Sequence, residues 1–231
     1  YETVEDHLIA HSMHCYFLRA GNADLPIELE VDPIRNGRSF CTRRVVARQN
    51  GEAIFNTSIS YHVVEEGMSH SLDMPVVISP EEAAAKNAAR DTTAPKNMLD
   101  LFGVERERIT ERLPEEQAPV AQSWFRVIGP VEGCVRKQQA ALAMISDFSL
   151  YSTAFSAFPY EQPEKVFIGA SLDHAIWFHD VPDMSDWILY DTYSPWSGGA
   201  RGYNRGSLWS RDGKLIASTA QEGLMRIRRS R

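Results

Sequence analysis

Four runs between residues 11 and 65, "HSMHCYFL", "PIELEVDPI", "SFCTRRVVARQ" and "AIFNTSISYHVV", interleave aromatic and β-branched residues with polar ones at strand length. They predict four strands. "RQNGEAIF" places an Asn-Gly pair between the last two, the signal of a two-residue hairpin whose central residues both take positive φ. The pattern changes near residue 75. In "SPEEAAAKNAAR", Ser79 is a predicted N-cap, Pro80 the first helical residue and Glu82 the reciprocal half of a capping box, ahead of an alanine-rich helix. The charged, proline-dotted "ERERITERLPEEQAPVAQ" then reads as the rest of a connector over 75–122. "EGCVRKQQAALAMISDF" sets Val135, Leu142, Ile145 and Ser149 near helical spacing, with alanines at 140, 141 and 143 between them. It predicts a mostly buried helix. Strand patterning returns over 165–227, with a second hairpin signal in "WSRDGKLIAS".

The two strand regions are alike. Laying Ser12 on Asp173 brings Phe17 onto Phe178, Ile27 onto Ile188, Gly37 onto Gly198 and Arg44 onto Arg205. One added residue at Asp212 then brings Gly51 onto Gly213, Ile54 onto Ile216 and Thr57 onto Thr219. Shared strand pattern, glycine positions and hairpin turn imply two copies of one α+β module, over 1–74 and 123–231, joined by the connector. A helix over 134–148 precedes the strands of the second copy, whereas only "YETVEDHLIA" precedes those of the first. The first module is therefore expected to lack its N-terminal strand and most of its helix. The chain begins at Tyr1 without an initiator Met, in keeping with that expectation.

Composition narrows the function classes. A net charge of −7 disfavours a general nucleic-acid binder, because phosphate neutralisation needs a basic face. Arginines grouped in "GGARGYNRG" can still hold a small anion, while those of the C-terminal "RIRRSR" read as a solvated end. The three cysteines, Cys15, Cys41 and Cys134, are odd in number and lack C-x-x-C spacing, which fits a reducing compartment. No apolar run approaches the roughly 18 residues of a membrane span, and no signal peptide opens the chain. The expected location is the cytoplasm.

Candidate chemistry centres on "GASLDHAIWFHD", residues 169–180. Gly169-Ala170-Ser171-Leu172-Asp173 lacks the second glycine of a nucleophile elbow, and an aromatic run follows where a helix should start, against a serine hydrolase. Simple alternation puts Ser171, Asp173, Ala175 and Trp177 on one strand face and Leu172, His174, Ile176 and Phe178 on the other. Two polar groups on an apolar face fit either a lined cavity or a solvated strand end. His11 and His14 would point to opposite faces with no third ligand at useful spacing, so a metal site is not expected. "SGGARG" lacks the lysine of a phosphate-binding loop. Asp147 stands at the C-terminal end of an apolar helix, where the helix dipole disfavours a negative charge, and the following "FSLYSTAF" implies burial. Gln221 falls late in the last strand. In the first copy Ile59 stands in place of Gln221 and Ala10 in place of Ser171, so the polar constellation belongs to the second copy alone.

"SLDHAIWFH", "SPWSGGARGYNRGSLWSRDGKLIASTAQEG" and "HCYFLRAGN…RNGRSFCTRRVVARQNGEAIF" together resemble the acyl-CoA thioesterase II family over essentially the whole chain. The resemblance implies a double-hotdog fold of α+β class, two tandem modules each with a long helix wrapped by an antiparallel sheet. It implies hydrolysis of medium- to long-chain acyl-CoA to fatty acid and CoA, with no cofactor or metal, by a homo-oligomer, dimer or tetramer. The family's catalytic aspartate, serine or threonine, and glutamine carry over to Asp147, Ser171 and Gln221, which would together hold one water. Arg201 and Arg205 are candidates for contacts to the CoA phosphates, a structural ion pair being the alternative for each. Asp173 is expected to satisfy backbone donors or an arginine. Two other readings stay open: a hotdog enoyl-CoA hydratase or dehydratase, whose motif is not found, and a non-catalytic acyl-CoA-binding protein.

Overall fold

In the computed structural model, residues 1–88, 102–109, 119–129, 131, 133–158 and 167–227 are described. The first copy contributes β1 (Leu8–Phe17), β2 (Glu28–Asn36), β3 (Phe40–Gln49) and β4 (Glu52–Val63). The middle of the chain gives α1 (Pro80–Ala88), β5 (Val104–Arg108) and β6 (Val120–Val127). The second copy contributes α2 (Val135–Leu150), β7 (Phe167–Ser171), β8 (Asp173–Phe178), β9 (Ile188–Gly198), β10 (Arg201–Ser210) and β11 (Leu215–Ile227). A 3-10 segment, Tyr151–Ala157, continues α2.

The strands form one antiparallel sheet in the order β2-β3-β4-β1-β8-β11-β10-β9-β6-β5, with β7 also on β11. Equivalent strands of the two copies run outward from a common centre. There β1 pairs with β8, and His14 faces Ala175, its own counterpart in the repeat. A pseudo-two-fold axis therefore passes through this pair, and the internal repeat becomes a symmetry of the fold. This is the double hotdog expected above. Residues 1–7 form turns rather than a helix.

Local rules explain the elements. Asn50 and Gly51 both take positive φ, 50° and 79°, in the hairpin between β3 and β4. The capping box closes as expected: the Glu82 amide donates to Ser79 Oγ at 3.1 Å, and the Ser79 amide to Glu82 Oε2 at 2.9 Å. Part of the stretch read as connector is sheet. β5 is an edge strand whose charged side chains are used, Glu105 accepting from Arg126 at 2.6 Å and Arg106 lying over the Phe125 ring at 5.2 Å. Charge alternation at an edge is compatible with a strand, and composition alone hid it. The remainder, 89–101 and 110–118, lies outside the described residues.

The main core lies between α2 and the inner face of the second copy, where Leu142, Ile145 and Leu150 meet Ile176, Tyr190, Leu208 and Ala217. Each fully buried leucine or isoleucine there contributes about 1.5–3 kcal/mol. On the outer face, Trp124, Trp187, Leu189 and Trp209 are covered by α1 through Ala83 and by Met74, Val77 and Ile78. The first copy has a smaller cluster of Val4, Leu8, Ala10, Cys41 and Tyr61. No described helix is long and apolar enough to cross a membrane.

Candidate active site

Ser171 and His174 both reach α2. Ser171 Oγ donates to Asp147 Oδ1 at 3.3 Å, and His174 Nε2 lies 2.9 Å from Ser146 Oγ. Residues three apart on a regular strand point to opposite faces. The alternation expected over 171–178 therefore fails, and the reason is local. β7 ends at Ser171 and β8 begins at Asp173, leaving Leu172 as an extra residue whose amide donates to the Glu222 carbonyl at 2.9 Å. The bulge resets the phase, so Ser171 joins His174 and Ile176 on the helix side while Asp173 turns away.

Asp173 then repairs the ladder that the bulge interrupts. Its Oδ1 accepts the Glu222 amide at 2.6 Å. Burial raises its pKa, this backbone bond lowers it, and the Glu222 charge raises it. The more conspicuous carboxylate of the motif thus serves the backbone.

Asp147 lies in the last turn of α2, and its Oδ1 accepts from both Ser171 Oγ and Gln221 Nε2. No described residue donates to Oδ2. Burial pushes the Asp147 pKa above the ordinary 3.8, and the bonds from Gln221 and Ser171 act in the opposite direction. Gln221 is 1% exposed, and its Oε1 finds no protein partner among the described residues. With Nε2 anchored on a carboxylate, an amide flip would set two acceptors against each other, so Oε1 is fixed as the open acceptor.

A second layer holds the end of α2. Ser146 Oγ donates to the Ala143 carbonyl at 2.9 Å, so it accepts from His174 Nε2–H. The Tyr190 hydroxyl donates to the Ser146 carbonyl at 2.9 Å and meets Thr219 Oγ1 at 2.8 Å. Gly206 makes this possible, because a Cβ there would overlap the Tyr190 ring. Burial lowers the His174 pKa to about 4, so the ring is neutral near pH 7. Cys15, next to His174 across β1 and β8, is pushed up to about 12 by burial first and by the Asp147 charge second. It stays a thiol, the unreactive form.

The structure thus brings Asp147, Ser171 and Gln221 together and leaves Arg201 and Arg205 outside. Arg201 donates to Glu222 at 3.2 Å and its guanidinium lies 5.8 Å from the Trp196 ring centroid, which is the structural alternative. Arg205 is exposed on the outer face, and no described residue pairs with its charge. Among the described residues no three His, Cys, Asp or Glu side chains are grouped to hold a metal ion. Tyr190, Ser146 and Asn204 went unmarked in the sequence. Asn204 had one signal, a polar residue in phase with Gly202, Gly206 and Leu208 on the core face of its strand.

Comparison with known proteins places these observations. Residues 80–225 match the family model for the acyl-CoA thioesterase C-terminal domain, and residues 1–62 that for the N-terminal domain. The chain is 35% identical to acyl-coenzyme A thioesterase 8 of Mus musculus over 98% of its own length and 76% of the relative's. An acyl-CoA thioesterase II of Mycobacterium marinum superposes with a TM-score of 0.84 at 33% identity, covering 98% of this chain and 84% of that one. A hot dog fold protein of unknown function from Alicyclobacillus acidocaldarius, at 18% identity, shares the fold with a TM-score of 0.73 over 94% of this chain and 78% of that one.

Proposed function

This chain belongs to the acyl-CoA thioesterase family, and we propose that it hydrolyses medium- to long-chain acyl-CoA with a water held by Asp147, Ser171 and Gln221. The observation that carries the site is the two-sided use of Asp147. Oδ1 is held by Ser171 and Gln221, while Oδ2 and Gln221 Oε1 remain as acceptors with no described protein donor. Two open acceptors on side chains that touch one another fit a water that donates one hydrogen to each.

The water's lone pair then faces the thioester carbonyl. As oxygen attacks carbon, Asp147 Oδ2 takes the proton; the tetrahedral adduct collapses, the C–S bond breaks, and the proton passes from Asp147 to the departing CoA sulfur. Fatty acid and free thiol are the products, and no covalent acyl-enzyme is needed. The raised pKa of Asp147 makes it a stronger base than an exposed carboxylate, and a positioned base contributes roughly 10²–10⁴-fold. Ser171 and Gln221 orient the carboxylate and the water rather than attack.

Release of thiol from palmitoyl-CoA and shorter acyl-CoAs, followed with a thiol reagent, tests the proposal without added metal. Thiol release at a rate that depends on Asp147 is expected. Loss of an enoyl chromophore without thiol, or binding without turnover at every chain length, would remove it. So would activity abolished by EDTA and restored by zinc.

A further inference from the structure

Asn204 is the most completely buried carboxamide of the described chain, at 0% exposure, and sits directly opposite Gln221 in the β10–β11 ladder. Its Nδ2 donates to the Gly202 carbonyl at 3.2 Å and to the Gln221 carbonyl at 3.4 Å. Those two carbonyls fix the amide's orientation, since a flip would set oxygen against oxygen. Asn204 Oδ1 is therefore directed away from them, and no described protein donor reaches it. The same holds for Gln221 Oε1. A buried acceptor without a donor is destabilising, and an apolar residue at position 204 would avoid that cost. Directly opposed residues in an antiparallel pair carry Cβ atoms roughly 4.5–5.5 Å apart, so the two carboxamide side chains are neighbours on the helix side of the sheet.

Two buried acceptors on neighbouring side chains, neither with a described protein donor, call for a group that brings two hydrogens. We propose that Asn204 is a positioning residue of this site, which with Gln221 binds a second, non-reacting water between the two carboxamide oxygens. The water donates one hydrogen to Asn204 Oδ1 and one to Gln221 Oε1, occupying one of the two lone pairs of the latter. The remaining lone pair is then aimed at the reacting water, and the Gln221 side chain is held from β10 as well as from Asp147. Asn204 touches neither substrate nor reacting water; it acts through Gln221. The proposal rests on the assignment of Gln221 given above.

Two measurements test it separately from that assignment. A high-resolution crystal structure of the full chain is expected to show an ordered water within hydrogen-bond distance of Asn204 Oδ1 and Gln221 Oε1. Its absence overturns the proposal whether or not the chain hydrolyses acyl-CoA. The second uses the matched pair Asn204→Val and Asn204→Thr, of equal shape, of which only threonine keeps an acceptor oxygen. Asn204→Val is expected to melt no lower than the wild type yet lose about tenfold in kcat with KM unchanged, and Asn204→Thr to recover most of the loss. Equal kcat for the two variants, or a loss that follows melting temperature, would mean that Asn204 serves only the fold.

Discussion

The two copies share a scaffold but not a site. Both carry an irregularity at the same place in the repeat, between Ala10 and Ser12 in β1 and at Leu172 between β7 and β8. In the second copy the residue before it is Ser171, which reaches Asp147. In the first it is Ala10, whose amide donates to the Tyr1 hydroxyl at 2.9 Å and whose carbonyl accepts from Gln139 Nε2 at 2.8 Å. Gln139 and Asp147 lie on the same helix, two turns or about 12 Å apart along the axis. One helix therefore serves both copies, with an amide for the first and a carboxylate for the second. Ile59 stands in the first copy where Gln221 stands in the second, and it packs into the apolar cluster around Tyr61. The bulge is a backbone device common to both; the chemistry proposed above rests on three side chains of the second copy alone.

The sharpest break of that difference is Asp147→Asn. It removes the carboxylate proposed to take the proton in the second copy, and kcat should fall roughly 10²-fold or more while the protein stays folded. The sign of its effect on stability follows from the raised pKa. A folded-state pKa above 3.8 means that the native chain binds the proton more tightly than the unfolded one. Stability is then lost as pH rises from 3.8 through the folded value, so Asn at 147 should melt no lower than the wild type at pH 7. Calorimetry beside kinetics checks both. A dead variant with a depressed melting temperature would indicate a structural carboxylate instead.

Ser171 comes next. Ser171→Ala makes the second copy resemble the first at that position and should cost about tenfold or more in kcat through loss of a bond to a charged acceptor. Ser171→Thr keeps the hydroxyl and should keep much of the rate. An acyl-serine trapped by mass spectrometry would contradict the water scheme outright. The acidic limb of the pH–rate profile should lie above 3.8, and Gln221→Leu should move it higher in the residual activity, because Gln221 donates to the charged form.

Asp173 distinguishes motif from mechanism with a smaller effect. Asp173→Asn weakens the bond to the Glu222 amide that bridges the bulge, by about 1 kcal/mol, but it also removes a charge that burial disfavours, so the melting temperature at pH 7 should shift by no more than about 2–4 °C with kcat preserved. A folded but inactive Asp173→Asn beside an active Asp147→Asn would reverse the assignment of the base.

Much of this was legible beforehand because the signals were local or repeated. Asn50-Gly51, the Ser79 and Glu82 capping box and the spacing of Leu142 and Ile145 each fix an element within a few residues. The repeat supplied the architecture, since strands that overlay in sequence came to overlay about an axis at His14 and Ala175. Strand phase across 171–174 was not legible. A bulge is one extra residue, and nothing in "GASLDH" marks Leu172 as the one to be skipped. β5 was missed for a different reason, its alternating charges being those of a solvated segment until Arg126 and Phe125 are placed beside them. The meeting of Asp147 with Gln221 joins residues 74 apart in sequence and came from family resemblance, not from spacing.

The smallest expected effect comes from copying two of the three side chains across. Ala10→Ser with Ile59→Gln gives the first copy the hydroxyl and the amide of the second, on a backbone that already carries the irregularity. The second site is remote from both changes, so kcat and KM of the intact enzyme should stay within about twofold. In an Asp147→Asn background the same double change should restore nothing. The first copy meets α2 at Gln139, whose amide nitrogen already donates to the Ala10 carbonyl, and the Tyr1 hydroxyl holds the Ala10 amide. A serine and a glutamine there could orient a water, but no carboxylate on the helix would take its proton. Recovery of thiol release in the combined variant would show that orientation alone suffices, and it would remove Asp147 as the feature that separates the two copies.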